Sequence, residues 1–315
     1  MSAACCSPSR SEADPSAASI ELAAPPMPVP PSLELVPLRG GPFRMGSEDG
    51  IFPADGEAPV RSVTLSPFAI SAHAVTNAQF AAFVTATGYR TDAERRGSSF
   101  VFARFVPPGA RDAVRGLVAG TPWWADVLGT SWRAPEGPGS SIDGRRDHPV
   151  VHVTHRDALA YCAAHGLRLP TEAEWEFAAR GGLEQCRYPW GDELMPDGRW
   201  RCNVWQGSFP ERNTREDGFA ATAPVDAFAP NGFGLFNMVG NVWEWCSDWF
   251  SARSPAAAAH DPAGPAAGTS RLIRGGSYLC HESYCFRYRV PARSFNTPDS
   301  STAHTGFRVA RSLSG

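Results

Sequence analysis

The sequence predicts an irregular α+β fold built from short elements. Of the 315 residues, 30 are Gly and 29 are Pro, which is more than a helical bundle or a doubly wound parallel sheet tolerates. Three short helices are marked by capping signals, and short apolar runs bounded by turn residues are typical of strands. The length allows one large domain or two small ones, and no internal repeat is visible.

Charge and composition exclude several classes of function. A formal net charge of −3 and a pI near 6.2 provide no basic field for nucleic acid. No apolar run approaches the length of a membrane span, and the N-terminus lacks the apolar core of a secretory signal. The eight cysteines are scattered and form no small-domain disulfide framework. We therefore expect a cytoplasmic monomer that binds neither nucleic acid nor membrane.

The chain divides into a tail and a domain. Residues 1–34 are rich in Ala, Ser and Pro, so we expect a disordered tail in which Cys5 and Cys6 form an incidental pair. Residues 35–315 form the predicted domain. It opens with a strand, a Gly-Gly-Pro turn and a second strand, and residues 59–70 alternate well enough for a further strand.

Three helices are predicted from capping boxes, in which a Thr and the residue three positions later satisfy free backbone groups at the helix start. A Gly that permits a left-handed conformation then ends each helix. The boxes and stops are Thr76 and Gln79 with Gly88, Thr154 and Asp157 with Gly166, and Thr171 and Glu174 with Gly181. On the third helix we expect Trp175, Ala178 and Ala179 to pack into the core.

Between the first two helices, residues 91–148 are predicted to be a long irregular stretch. Loops of this length are usually functional or disordered. Trp123, Trp124 and Trp132 lie in it. These aromatic side chains either line a peptide groove or pack down on the core, and the sequence leaves both alternatives open.

The segment 274–301 contains Cys280 and Cys285 among three tyrosines and four arginines, and Gly and Pro punctuate it as a loop. Such a composition favours a functional loop near the surface. Two thiols at this spacing have three interpretations: a structural pair, a redox pair or a soft-metal site. Two thiolates suit Cu(I), whereas zinc would require two further ligands that the segment lacks.

The amino-acid sequence of this segment is more informative than the spacing of its two cysteines. GGSYLCHESYC, followed by RYR, ARSFNTPDSS and GFR, closely resembles the active-site region of the formylglycine-generating enzymes, or sulfatase-modifying factors. GGPFRMG at 40–46, RLPTEAEWEFAARGG at 168–182 and NGFGLFNMVGNVWEW at 231–245 extend the resemblance to about residues 35–311. It implies an enzyme of the prokaryotic type, with a low-secondary-structure domain related to the C-type lectin fold.

The resemblance implies a copper- and O2-dependent oxidase. Its substrate would be a cysteine in the C-x-P-x-R motif of an unfolded sulfatase, oxidised to Cα-formylglycine with a reducing thiol as co-substrate. By position, Cys280 and Cys285 would bind Cu(I), Ser277 would hydrogen-bond oxygen, and Trp243 would line the oxygen pocket.

The resemblance also implies two structural calcium sites in oxygen-rich segments. Ca²⁺ favours carboxylate, amide and backbone carbonyl oxygens, so the residue types are suitable. One site would use Asn203, Val204, Asp217 and Phe219, and the other would use Asn237, Gly240, Val242 and Glu244.

The chain departs from the family pattern at two places. Secreted eukaryotic members have two disulfides. Here Cys162 stands at one of these positions but Val309 stands at its partner's, and the second pair of positions is occupied by Ala179 and Val290, so both bridges are absent. His304 stands where the family usually has Asn. The first departure fits a reducing compartment.

Two other classes of function remain open. The same fold serves iron-dependent sulfoxide synthases, which need a His triad, and non-catalytic binding modules, which need no paired cysteines. The phrase around Cys280 and Cys285 favours the oxidase over both.

Overall fold

The computed structural model describes residues 7–10, 27–30, 32–252 and 258–313. Over these residues it confirms the predicted α+β class, with short elements and long irregular connections. The helices are α1 (Asn77–Thr87), α2 (Asp92–Arg96), α3 (His155–Ala164) and α4 (Glu172–Arg180). Single 3-10 turns lie at Pro53–Asp55, Ala103–Phe105, Pro108–Ala113 and Pro196–Gly198.

The strands are short and belong to five small sheets. They are β1 (Leu35–Leu38), β2 (Gly41–Met45), β3 (Arg61–Leu65), β4 (Phe68–Ser71), β5 (Ser98–Phe102), β6 (Val114–Val118), β7 (Thr121–Leu128), β8 (Gly207–Ser208), β9 (Arg212–Asn213), β10 (Trp243–Trp249), β11 (Ala259–His260), β12 (Arg271–Arg274), β13 (Arg293–Asn296), β14 (Thr305–Gly306) and β15 (Ala310–Ser312). The sheet orders are β1-β4-β15, β13-β12-β10-β14, β11-β3-β2, β5-β7-β6 and β8-β9.

All three predicted helices are present, and their capping boxes form as expected. In α1, Thr76 and Gln79 bond each other's backbone N–H groups, and Gly88 ends the helix at φ 68°. Helix α4 begins in the same way at Thr171. Helix α3 ends slightly earlier than predicted, with His165 rather than Gly166 at its C-cap.

The prediction of an irregular stretch over residues 91–148 was wrong. It contains α2 and the sheet β5-β7-β6. Helix α2 has a full capping box of its own, between Thr91 and Glu94. Residues 59–70 also form two strands rather than one, because Pro67 has no backbone N–H to continue a ladder.

The core confirms one prediction and decides another. Trp175 and the alanines at 178 and 179 of α4 are fully buried, as expected. Trp124 and Trp132 are also buried, so they pack in the core, while Trp123 is half-buried. Two of the three tryptophans therefore pack in the core and are not available to line a peptide groove.

Within the predicted tail, some of the residues that the structure describes contact the domain. Ser7 and Pro8 are buried, and Met27 donates its N–H to Ala164 O over 2.6 Å. Cys5 and Cys6 lie outside the described residues. Among the described helices, none has both the length and the apolar character needed to cross a membrane.

Candidate dithiol site

The two cysteines lie on the connection between strands β12 and β13, which are antiparallel neighbours. Arg274 at the end of β12 is paired with Arg293 at the start of β13, so the connection leaves and re-enters the sheet at one point. Gly276 allows the tight first turn, since its φ is 75° and a Cβ there would lie 2.9 Å from Tyr288 Cα. We call residues 275–292 the cysteine loop.

Two successive turns bring the thiols together. Cys280 N–H donates to Ser277 O over 2.9 Å, and Cys285 N–H donates to His281 O over 2.6 Å. The Sγ atoms of Cys280 and Cys285 are 3.0 Å apart. This distance is longer than the roughly 2.0 Å of a disulfide bond, so the thiols are adjacent but unbonded.

The expectation that this loop lies near the surface was wrong. Cys280 is 2% exposed and Cys285 is fully buried, and only the tip around Glu282 and Ser283 is exposed. The segment can be buried because acidic side chains from elsewhere in the chain neutralise its arginines.

The arginine partners come from two regions. Arg287 bonds Asp55 over 2.5 Å, and Arg289 bonds both oxygens of Glu57, the shorter contact being 2.8 Å. The other two arginines, at the base of the loop, contact helix α4. Arg274 binds Glu172 over 2.9 Å and Glu176 over 2.6 Å, and Arg293 binds Glu172 over 2.5 Å.

Ser277 lies beside the first thiol. Its N–H donates to Cys280 Sγ over 3.4 Å, and its Oγ is 4.0 Å from the same sulfur. The Oγ accepts a bond from Leu279 N–H over 3.3 Å, which leaves its proton to be donated. The structure therefore places Ser277 beside the cysteine pair, and its role toward oxygen stays a prediction.

Trp243 lies on β10, one residue before Glu244, which is paired with Arg274 at the base of the cysteine loop. Its ring is fully buried, and its Nε1 has no hydrogen-bond partner. Trp243 and both cysteines belong to the same apolar cluster. Among the described residues, five other tryptophans have an Nε1 in the same condition, so this feature alone does not distinguish Trp243.

The donor set of the loop fits a soft monovalent metal better than zinc. Two buried thiols are adjacent, and among the described residues no group of three or more His, Cys, Asp or Glu side chains is arranged to hold a metal. Two adjacent sulfur donors suit Cu(I), whereas structural zinc takes four ligands.

Two residues of the first calcium site contact the carboxylate of a third, while the Asn203 side chain donates to Ala221 O over 2.8 Å. Asp217 accepts bonds from Phe219 N–H over 2.9 Å and from Val204 N–H over 3.1 Å. The side chain of Gln206 also contacts Asp217, over 2.8 Å, and contacts Val204 O. Burial raises the pKa of Asp217, although these hydrogen bonds oppose the shift. A cation here would compensate a buried carboxylate, so these residues fit calcium.

The second site fits in part. Asn237 holds a left-handed conformation at φ 48°, and its Oδ1 is buried without a partner, as a missing oxygen-seeking ligand would leave it. Glu244 differs from the expectation. Its carboxylate accepts bonds from Arg308, over 2.6 and 2.8 Å, and from Trp175 Nε1 over 2.7 Å. Because the Arg308 guanidinium already neutralises this carboxylate, the Glu244 side chain does not fit as a calcium ligand.

Both oxygen-rich segments are hydrogen-bonded to the cysteine loop. Trp205 N–H donates to Cys280 O over 3.0 Å, and Gly240 N–H donates to Gly275 O over 2.8 Å. Gly240 also approaches the other segment so closely that a Cβ there would lie 2.6 Å from Asn203 O. Sequence reasoning missed this coupling, because the partners are distant in the chain.

The departures from the family pattern are structurally accommodated. Cys162 is a buried free thiol, and Val309, Ala179 and Val290 are fully buried. His304 is buried and packs on Trp124, with ring centroids 4.6 Å apart, and its Nδ1 lies 2.7 Å from Thr302 Oγ1. Among the described residues, no two cysteines are joined by a disulfide bond.

The irregular α+β fold and the two adjacent buried thiols on one loop together define the class of this protein as one with a buried dithiol site. A sequence model of the sulfatase-modifying factor enzyme 1-like domain matches residues 23–313, and the chain belongs to this family. A formylglycine-generating enzyme of Thermomonospora curvata is 63% identical over 282 residues, covering 88% of this chain and 92% of the relative.

Two other comparisons define how far the likeness reaches. An inactive Cα-formylglycine-generating enzyme 2 of Bos taurus is 45% identical over 284 residues, covering 89% of this chain and 88% of the relative. The solved structure of PvdO from Pseudomonas aeruginosa has a TM-score of 0.65 at 26% identity, over 89% of this chain and 95% of that one. Family membership therefore leaves the activity to be argued from the site.

Proposed function

We propose that this chain is a formylglycine-generating enzyme, which oxidises a cysteine in a C-x-P-x-R segment of an unfolded sulfatase. The observation that carries the proposal is the pair of buried, unbonded thiols of Cys280 and Cys285, 3.0 Å apart. The 63% identity to an enzyme with this name supports the same substrate. A non-catalytic member of the family would have no need of a buried free dithiol.

The proposed reaction balances with O2 and a thiol reductant. The substrate side chain –CH2–SH loses sulfur as H2S and becomes the aldehyde –CHO, which is a two-electron oxidation. Two reducing thiols supply two more electrons as they form a disulfide. Together these four electrons reduce one O2 to two molecules of water. The oxidised substrate carbon is a thioaldehyde, and its hydrolysis consumes one water and releases H2S.

Copper would be held by the thiolates of Cys280 and Cys285. When bound, Cu(I) supplies a soft centre that attracts the substrate thiol and passes electrons to O2. The protein contributes a dry environment, because both sulfur atoms are buried in the apolar cluster that also contains Trp243. Water is thereby excluded from the reacting atoms.

Ser277 is suited to two tasks. Its N–H donates to Cys280 Sγ, which holds this sulfur in position. Its hydroxyl accepts from Leu279 N–H, so the hydroxyl proton is directed elsewhere and can be donated to oxygen or its reduced forms. The unpartnered Nε1 of Trp243 would provide a second donor on the oxygen side.

Calcium at the two oxygen-rich segments would be structural. Asp217 and the orphaned Oδ1 of Asn237 are the observations that support it. We further propose that the enzyme acts as a monomer in a reducing, cytoplasmic compartment, which its free cysteines favour.

The test is reconstitution with Cu(I) under reducing conditions, followed by addition of O2 and a C-x-P-x-R peptide. Mass spectrometry should show loss of the thiol and gain of an aldehyde that forms a hydrazone. A matched peptide with Ser in place of Cys should remain unchanged. A folded, copper-loaded protein that leaves the cysteine peptide intact would place this chain with the inactive members of the family.

A further inference from the structure

The N-terminal segment contains the motif proposed for the substrate. Residues 6–10 read Cys-Ser-Pro-Ser-Arg, which satisfies C-x-P-x-R. No other cysteine of the chain is followed by Pro at the second position and Arg at the fourth. The motif lies in the region expected to be a disordered tail with an incidental cysteine pair.

Asn296 on β13 binds the first part of this segment from both of its amide atoms. Its Nδ2 donates to Ser7 Oγ over 2.7 Å and to Pro8 O over 3.1 Å, and its Oδ1 accepts from Ser9 Oγ over 2.7 Å. Ser7 and Pro8 are buried. Asn296 therefore recognises the segment through one backbone carbonyl and two hydroxyl groups.

Arg10 occupies a site with three kinds of cation partner. Its guanidinium donates to Ser98 O over 3.1 Å, lies 3.5 Å from Asp126 Oδ1, and stacks 4.7 Å above the ring of Phe100. A carboxylate, a carbonyl and an aromatic face together favour a bound arginine. Arg10 N–H also donates to Ser300 Oγ over 2.8 Å, which fixes the backbone at this point.

This binding site is physically continuous with the dithiol site. Asn296 is on the strand at which the cysteine loop ends. Ser300, which holds Arg10, belongs to the turn after β13, and Ala303 O in the same stretch accepts a bond from Tyr278 OH over 3.2 Å. Tyr278 lies two residues before Cys280.

We propose that residues 6–10 are an intramolecular substrate: Ser7–Arg10 occupy the site for C-x-P-x-R peptides, and Cys6 is a cysteine that the enzyme oxidises to formylglycine. This inference rests on the proposed function and uses the same balance, in which O2 and two reducing thiols are consumed and H2S, a disulfide and water are released. It identifies Asp126, Phe100 and Asn296 as the residues that select the Arg and the Pro-containing backbone.

A tethered occupant competes with any free substrate. A short tether gives a local concentration in the millimolar range, so an incoming peptide must displace the segment before it binds. The apparent Kd of the peptide then equals its intrinsic Kd divided by the fraction of molecules whose site is unoccupied.

Binding without copper tests the occupancy. A fluorescently labelled C-S-P-S-R peptide is titrated into the full chain, into Arg10→Ala and into Arg39→Ala, an exposed arginine outside this site that serves as the charge-matched control. Arg10→Ala should lower the apparent Kd severalfold, and Arg39→Ala should not change it. In the Arg10→Ala background, Asp126→Asn should weaken binding severalfold, because the peptide's arginine uses the same carboxylate. An apparent Kd that Arg10→Ala leaves unchanged, or that Asp126→Asn leaves unchanged, would overturn the occupancy.

Mass spectrometry of the N-terminal fragment tests the substrate role. After incubation with Cu(I), O2 and a thiol, Cys6 should carry an aldehyde in the wild-type chain, with slower conversion in Arg10→Ala. Conversion of an added peptide while Cys6 retains its thiol would refute the intramolecular substrate and leave the proposed function intact. Absence of conversion in both, with binding preserved, would instead refute the proposed function and with it the oxidation of Cys6.

Discussion

Arg274 and Arg293 lie directly opposite each other on strands β12 and β13, and both bond Oε1 of Glu172, over 2.9 and 2.5 Å. Two like charges at paired positions would repel each other. The shared carboxylate of Glu172 attracts both guanidinium groups and so holds the two strands together at the base of the cysteine loop. We call this arrangement the clamp. Burial opposes ionisation of Glu172, but Arg293, Arg274 and Arg61 outweigh it and lower the pKa of its carboxyl group.

Glu172→Ala should release this clamp. Removing one partner of a buried ion pair typically costs about 3–5 kcal/mol, because the remaining charges are left uncompensated. The free energy of unfolding, measured with urea, should fall by that order, and Cys280 and Cys285 should react faster with a thiol reagent. Glu48→Gln, which removes an exposed partner of Arg44, is the control and should change neither quantity. Equal thiol reactivity in a folded Glu172→Ala protein would contradict the clamp.

Cys280→Ser and Cys285→Ser should each abolish turnover and most Cu(I) affinity, since one thiolate cannot form a two-sulfur site. Because both positions are buried, each change should also cost about 1–3 kcal/mol of stability for a hydroxyl in apolar surroundings. Cys162→Ser is the matched control: it is an equally buried free thiol elsewhere and should lose stability without losing activity. Turnover near the wild-type rate in either loop variant would refute the copper assignment.

Calcium removal should lower the melting temperature. A ligand that binds the native state at a hundredfold excess over its Kd stabilises it by about 2.7 kcal/mol. Because Trp205 and Gly240 are bonded to the cysteine loop, chelation should also raise the thiol reactivity of that loop. The measurement is a melting curve before chelation, after it, and after return of Ca²⁺ or, as the control, Mg²⁺. An unchanged curve with metal analysis confirming removal would exclude structural calcium.

Asp248 should make stability depend on pH. Burial and the charges of Glu172 and Glu174 raise the pKa of Asp248 to about 7, against a value of about 3.9 in the unfolded chain, and Arg271 is the nearby cation. Between these two values the folded state holds a proton that the unfolded state has lost. Stability from this group is therefore lost as pH rises from about 4 to about 7.

Asp248→Asn tests this dependence, because the amide can still accept the bond from Glu172 N–H. Urea midpoints at about pH 5 and about pH 8 should differ less in the variant than in the wild type, and the variant should gain stability at the higher pH. A wild-type and a variant profile that run parallel would show that Asp248 is ionised throughout.

A mild reductant should leave the melting transition unchanged, because the described cysteines form no disulfide bond with one another. A strong oxidant without copper should inactivate the enzyme by joining or over-oxidising the thiols of Cys280 and Cys285. Titration of free thiols in the native protein, with melting curves in the presence and absence of reductant, provides the measurement. A large drop in melting temperature on reduction would reveal a structural disulfide.

Local signals in the sequence identified the features that depend on local chemistry. The capping boxes at Thr76, Thr154 and Thr171 located three helices, and the same signal at Thr91 would have located the fourth. The Cys280–Cys285 pair was identified by the sequence around it, GGSYLCHESYC. Its burial was not predictable, because Asp55, which neutralises Arg287, is 232 residues away in the chain.

The N-terminal segment shows the opposite limit. Its motif is fully written in residues 6–10, but low complexity around it suggested disorder. Only the contacts of Arg10 with Asp126 and of Ser9 with Asn296 show that Ser7–Arg10 have a place in the fold. The average composition of residues 1–34 predicted disorder, and it could not reveal that four of these residues, Ser7–Arg10, bind to the domain.

The buried arginines of the cysteine loop restrict how this protein can be altered. Arg287 and Arg289 each need Asp55 or Glu57, so replacing one member of a pair leaves a buried charge, and tolerated changes would have to arise two at a time. The exposed tip at Glu282 and Ser283 carries no such obligation. Directed evolution toward other peptide tags should therefore randomise the tip and the Asp126 surface, while the arginine–carboxylate pairs are kept as a fixed scaffold.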